Sequence, residues 1–266
     1  MSTVGRSPTS GLVALGERIL ARVDAVGEFT LLAMLTLRSA LRPGFPWRES
    51  FRQLEAVGAR SSTIVLITAL FTGMVLALQT GIALARFGAK PYVGSVVGLS
   101  LARELGPVLT ALMVGGRVGA GITAEIGSMQ VTEQVDAIRS LGADPVQKLV
   151  LPRMLACVLA LPLLTICADV LGIAGGMLLA WGQFGIEPHF YISTIVNTVT
   201  VSDFAEGIAK TFVFGWIIAM VGCYSALQTT GGTVGVGRAT TRTVVTASIA
   251  VLVSDFFMSQ LMVLLL

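Results

Sequence analysis

Five ionisable residues stand inside stretches that are otherwise almost wholly apolar: Arg103, Glu104, Asp169, Lys210 and Asp255. An unpaired charge at mid-membrane costs at least ~2.5 kcal/mol, so each must meet protein, water or the polar end of a ligand. Groups of this kind can relay protons, hold ions or line a path for an amphiphile. Arg103 and Glu104 are consecutive and diverge by about a quarter-turn on a helix, so they cannot simply neutralise each other. At least one must reach a second helix or a cavity. Lys210, early in the fourth apolar stretch, and Asp255, about midway along the fifth, are placed for a cross-helix ion pair. The competing reading is that the charges only fix helix register. Gln79 is the one polar side chain deep in the first apolar stretch, and Asp169 fits no motif, a local hydrogen bond being its expected satisfaction.

The surrounding chain dictates the solvent. Hydrophobic residues make up 54% of the 266 and charged ones only 12%, too apolar for a soluble domain. Five stretches are long enough to cross about 30 Å of hydrocarbon as helices: 61–85, 93–121, 149–181, 207–228 and 244–266. Backbone polar groups cannot go unpaired in lipid, and the alternation of barrel strands is missing, which leaves a helical bundle. The fold class is therefore an all-α integral membrane protein, with residues 1–60 as an N-terminal interfacial region and 61–266 as the five-helix domain. In the first region Leu12, Leu15, Ile19, Val23 and Val26 share one stripe, the pattern of a helix lying in the membrane interface. The run from Phe29 to Leu41 is too short to cross, and Arg42-Pro43-Gly44-Phe45-Pro46-Trp47 breaks it. The extreme N-terminus lacks the short apolar core and small-residue cleavage site of a signal peptide, so insertion is expected to rely on the helices themselves.

Lys and Arg number eight before Ser61, three from Arg139 to Arg153 and two at Arg238 and Arg242, with none between the third and fourth stretches. The positive-inside rule puts the N-terminus and the 128–152 and 229–242 loops in the cytoplasm and the C-terminus outside, Arg86 and Lys90 being a small exception. The net charge of +3 thus reports topology rather than nucleic-acid binding. Cys157, Cys167 and Cys223 all fall in apolar stretches and suggest neither a disulfide framework nor a metal site. Gly94, Gly98, Ala102 and Gly106 recur every fourth residue, with Ala111, Gly115 and Gly119 on a neighbouring face, and predict close helix approach. Gly172, Gly175 and Gly176 do the same in the third stretch, where Pro162 predicts a kink. Thr132 as N-cap, Glu133 and Asp136 in the first turn, Arg139 in the last and Gly142 beyond it mark a short helix, broken at Asp144-Pro145. The glycine-rich 231–237 segment lacks a phosphate-binding lysine and reads as a turn, so ATP hydrolysis is not expected in this chain.

Arg103-Glu104-Leu105-Gly106-Pro107, Gly116-Arg117, Thr123-Ala124-Glu125-Ile126-Gly127, Thr132-Glu133-Gln134, Asp144-Pro145 to Pro152-Arg153 and Arg238-Ala239-Thr240-Thr241-Arg242-Thr243-Val244-Val245 closely resemble the MlaE/YrbE permease family. The resemblance runs from about Ser61 to the C-terminus. It implies the permease subunit of an ABC transporter moving phospholipids between the inner and outer membranes of Gram-negative bacteria. The partners it implies are a second copy of the chain, a cytosolic ABC ATPase that binds ATP and Mg, a small STAS-domain protein and a periplasmic MCE-domain hexamer. It further implies that Glu133, Gln134, Asp136, Ala137, Arg139, Leu141 and Gly142 form the ATPase-coupling helix. Lipid would lie near Leu76, Leu78, Gln79, Leu84 and Phe87, and Arg103, Glu104, Lys210 and Asp255 would border the cavity or support it. The first and fifth spanning helices are the expected dimer seam. An ion-coupled secondary transporter using Glu104, Lys210 and Asp255 as a relay, a membrane scaffold without transport, and a sterol-like cargo are the alternatives.

Overall fold

The computed structural model describes residues 8–41 and 46–265. Five helical segments are long and apolar enough to cross a membrane: Trp47–Ala85, Lys90–Val131, Val146–Phe184, Val201–Leu227 and Gly232–Leu264. The five expected crossings are present, each extended beyond its apolar stretch at one end or both. The polar ends continue the i→i−4 ladder past the hydrocarbon, and hydropathy registers only the part inside it. The first crossing thus begins at Trp47 and runs unbroken through residue 60.

Ahead of it lies α1 (Pro8–Ala40), one continuous helix. The side chains of Leu12, Leu15 and Ile19 and the break at Arg42–Phe45 lie outside the described residues, while Val23 and Val26 are exposed. The second half of α1 is anchored. Glu28 accepts hydrogen bonds from Tyr224 and Gln228, Phe29 meets Trp216 and Tyr224 edge-on, and Leu32, Thr36 and Ser39 are buried.

α2 (Trp47–Ala85) packs along α7 (Leu151–Phe184). Lipid tails are as apolar as leucine, so the contact depends on close backbone approach rather than on burial from water. Small residues provide it: a Cβ on Gly73 would strike the Gly172 carbonyl, and one on Gly175 the Leu70 carbonyl. Pro162 sits inside α7, which stays helical throughout. The second crossing comprises α3 (Val93–Ser100), α4 (Gly106–Val114) and α5 (Ala120–Val131), joined by π-turns at Leu101–Leu105 and Gly115–Gly119. A third π-turn, Val146–Val150, opens the third crossing. The stripe of small residues on α3 and α4 behaves as expected, although its partners differ from one to the next. Gly94 and Gly98 seat Tyr191, Thr194 and Ile195, while Gly106 meets Asp169.

α6 (Gln134–Ser140) joins the second and third crossings at one end of the bundle. At the other end α8 (Pro188–Thr198), which the sequence had not announced, lies against α3, with Ser95 donating to the Thr194 carbonyl at 3.3 Å. α9 (Val201–Leu227) and α10 (Gly232–Leu265) complete the bundle. Two expectations are corrected. The 231–237 segment is not all turn: only Gly231 and Gly232 take positive φ, and α10 already runs from Gly232. Thr132 does not cap α6, because its hydroxyl donates back to the Ser128 carbonyl and closes α5, leaving Glu133 in the left-handed region (φ 59) ahead of α6. Deeper in the bundle, Thr123 ties α5 to α9 and α10 by donating to the Gly222 carbonyl at 3.1 Å and pairing with Thr243 at 2.9 Å.

Gly73→Val should destabilise the bundle by overpacking, by about 1–3 kcal/mol. A lowered unfolding midpoint in nanodiscs, beside an unchanged one for Gly27→Val, where nothing lies within 4 Å, checks this.

Candidate functional site

Lys210 is fully buried on α9, and its ammonium is enclosed by acceptors. Glu104 Oε1 and Ser259 Oγ stand at 2.8 Å from Nζ and the Arg103 carbonyl at 3.1 Å, with Asp255 Oδ1 at 3.4 Å. Ser259, one turn beyond Asp255 on α10, also donates to Glu104 Oε1 at 3.0 Å. One cation thereby joins the first π-turn, α9 and α10. The cross-helix pair of Lys210 with Asp255 is present, and Glu104 completes it.

Arg103 turns the other way, to Asp203 near the start of α9, its Nε donating to Oδ1 at 2.6 Å with a second contact from the guanidinium. Asp203 is itself fixed by a capping box, accepting from the Thr200 backbone N–H at 2.7 Å while its own N–H donates to the Thr200 hydroxyl. The consecutive charges therefore do reach separate partners on the same neighbouring helix. Two members of the network were not singled out from sequence. Thr200-x-x-Asp203 is a readable capping signature, whereas Ser259 carries no signal beyond its one-turn spacing from Asp255.

The network is open on one flank. The Glu104 and Arg103 side chains are 43% and 39% exposed although Lys210 is wholly enclosed. On α10, Leu252, Phe256 and Phe257 near Asp255 are exposed. Of the other residues proposed for lipid, Leu76 and Leu84 turn inward against Val93, Tyr191 and their neighbours. Leu78 is half-buried, Gln79 exposed and Phe87 82% exposed beyond the end of α2. These five form no single wall within one chain, since a helix spreads such spacings over several faces. Asp169 makes no hydrogen bond with either carboxylate oxygen, which corrects the expected local bond. The hydroxyl one turn away, on Thr165, is unpartnered too.

At the α6 end, Val135 is fully buried and Ile138 half-buried against the core, which anchors the short helix. Glu133, Gln134, Asp136, Ala137, Arg139, Leu141 and Gly142 are all exposed, Leu141 at 86%. Gly142 ends the helix with φ +76, as expected of a glycine there. Asp144 then accepts from the Val146 N–H at 2.9 Å and starts the next helix. Nearby, buried Arg153 donates to the Leu149 carbonyl at 2.7 Å and pairs with Glu125 at 2.9 Å.

Five apolar crossings around a fixed charge network, with an exposed helix at one end, define a multi-pass membrane protein. Comparison with known proteins makes this specific. The family model described as "Permease MlaE" matches residues 50–261. A "Probable ABC transporter permease protein" of Rickettsia felis is 40% identical over 248 residues, spanning 93% of this chain and 96% of that protein. A protein of the same description from Synechocystis is 45% identical over 215 residues, 81% and 82% of the two chains. The "Intermembrane phospholipid transport system permease protein MlaE" of Haemophilus influenzae is 36% identical over 252 residues, 94% and 96% of the two. The chain belongs to the MlaE permease family.

Lys210→Ala leaves Glu104 and Asp255 as unpaired charges and should cost about 3–5 kcal/mol of stability. Lys210→Met combined with Glu104→Gln and Asp255→Asn should recover most of that loss in denaturant unfolding of nanodisc-embedded protein.

Proposed function

We propose that this chain is the permease subunit of an ABC transporter that moves phospholipid between the inner and outer membranes of a bacterial envelope, maintaining outer-membrane lipid asymmetry. The observation that carries the reading is a buried charge network open on one flank, held in the same bundle as an exposed helix at its far end. A second copy of the chain, meeting it along α2 and α10, closes the open flank into a chamber. Its polar part suits a phospholipid head group, and the exposed α10 side chains suit the tails. The name of the Haemophilus relative supports this cargo class.

By the distribution of Lys and Arg, the N-terminus and α6 are cytoplasmic and the C-terminus is periplasmic. A separate ABC ATPase binds ATP and Mg and docks on α6, where Leu141 is an apolar anchor standing in water. Closure of the ATPase pair is transmitted through Val135 and Ile138 into α5 and α7. Lipid that binds the open and closed chambers unequally is then moved in one direction. A STAS-domain protein on the cytosolic side and an MCE-domain hexamer in the periplasm complete the assembly.

Leu141→Asp should reduce the ATPase recovered with the purified chain by about tenfold, equivalent to ~1.4 kcal/mol, without affecting insertion. In proteoliposomes, movement of a labelled phospholipid should require the ATPase and nucleotide. The neutral triple variant at 104, 210 and 255 should fold yet lose that movement. Transport by the chain alone under a pH gradient would instead establish an ion-coupled carrier.

A further inference from the structure

We propose that the cavity between α1, α9 and α10 holds the phosphate of an anionic phospholipid from the cytoplasmic leaflet, a site separate from the charge network at Lys210. The cavity, of about 730 Å³, opens between Glu28 and Phe29 of α1, Tyr224 and Gln228 of α9, and Arg238 and Arg242 of α10. That volume lies within the roughly 300–1,000 Å³ of small-molecule sites. Arg238 and Arg242 stand one turn apart on one face of α10, both exposed, and among the described residues neither makes a hydrogen bond or an ion pair. The one acid in the lining does not serve them. Glu28 accepts from the Gln228 amide at 2.8 Å and from the Tyr224 hydroxyl at 3.2 Å, and α10 carries no acid in its first turn. Like charges at i, i+4 repel, so the two guanidiniums form an unbalanced pair that a phosphate between them relieves through charge-assisted hydrogen bonds.

Depth selects the source of that phosphate. The apolar runs of all three helices begin or end at the cavity: from Phe29 on α1, up to Gln228 on α9 and from Val244 on α10. The arginines therefore sit at the edge of the hydrocarbon, where a phospholipid carries its phosphate, and the Lys and Arg distribution makes this the cytoplasmic edge. A second hollow shares Arg238, Arg242 and Thr246 and is also lined by Val245, which is exposed, as is Ile249 one turn further along α10. Acyl chains of a lipid held at the arginines have that apolar face to lie on, which a free phosphate would not use. From Arg242 to Asp255 α10 rises by about 20 Å, so one head group cannot occupy this site and the Lys210 network together. Bound lipid fills the space between α1 and α10 and ties the interfacial helix to the bundle.

Native mass spectrometry of the full chain in detergent, with phosphatidylglycerol or phosphatidylcholine titrated in, tests this. The wild type should bind phosphatidylglycerol in preference to phosphatidylcholine, and Arg238→Gln combined with Arg242→Gln should weaken that binding by about tenfold. Equal binding of the two lipids by the wild type, or undiminished binding by the double variant, overturns the proposal. The variant carrying Glu104→Gln, Lys210→Met and Asp255→Asn should keep this lipid; its loss there overturns the separate site. Inorganic phosphate at millimolar concentration should leave the lipid bound, and displacement overturns its assignment to a lipid. If the double variant does not fold, hydrogen exchange of the wild type in phosphatidylcholine nanodiscs is read instead. Residues 221–242 should exchange more slowly once phosphatidylglycerol is included, and unchanged exchange there overturns the proposal.

Discussion

An ammonium group held where water cannot reach it is the constraint on which the bundle depends. Lys210 cannot be left alone in a membrane, and its acceptors come from two other crossings, the π-turn at Arg103 and Glu104 and the α10 face at Asp255 and Ser259. Satisfying one charge thereby fixes three helices relative to one another. Dispersion alone would leave them freer to slide, since lipid competes for apolar faces on equal terms. The exposure of Glu104 means that this fixed point also borders the bundle's outer surface, where a ligand or second protomer can sense it.

The remaining cohesion is of a different kind. Between α2 and α7, and between α3 and α8, contact comes from what is missing: Gly73, Gly94, Gly98, Gly172 and Gly175 let backbone or side chains of the neighbour into space that a methyl would fill. Threonine hydroxyls at 123 and 243 add short bonds deep in the α5, α9 and α10 contact. Polar interactions therefore set position, and small residues set distance.

Much of this was legible in the sequence. The five crossings follow from hydropathy, the stripe of small residues from its four-residue period, and the site charges from their apolar surroundings. What escaped has physical causes. Asp203 lies at a helix start, where an acid looks like an ordinary solvated cap, and only the structure brings Arg103 to it. α8 is short and carries no charge pattern to distinguish it from a loop. The end of α5 and the start of α6 meet at Thr132 and Glu133, where cap signals serve either helix and backbone geometry decides. Asp169 was expected to find a local donor, yet the hydroxyl one turn away is as isolated as the carboxyl. The five α2-end positions from Leu76 to Phe87 came from family likeness, which reports an assembly, and a single chain need not bring them together.

The π-turns have a geometric consequence of their own. Each accommodates a residue more than an α-helix would at that point, and one residue amounts to about 100° of rotation. α4, bounded by two of them, is out of phase with α3 before it and α5 after it, so one crossing shows three independently aimed surfaces. Each of the three π-turns holds a basic residue, Arg103, Arg117 or Lys148. Deleting a single residue within such a turn would restore regular winding and swing everything downstream by more than a quarter of a circle. Chain length in these segments is therefore under tighter constraint than residue identity.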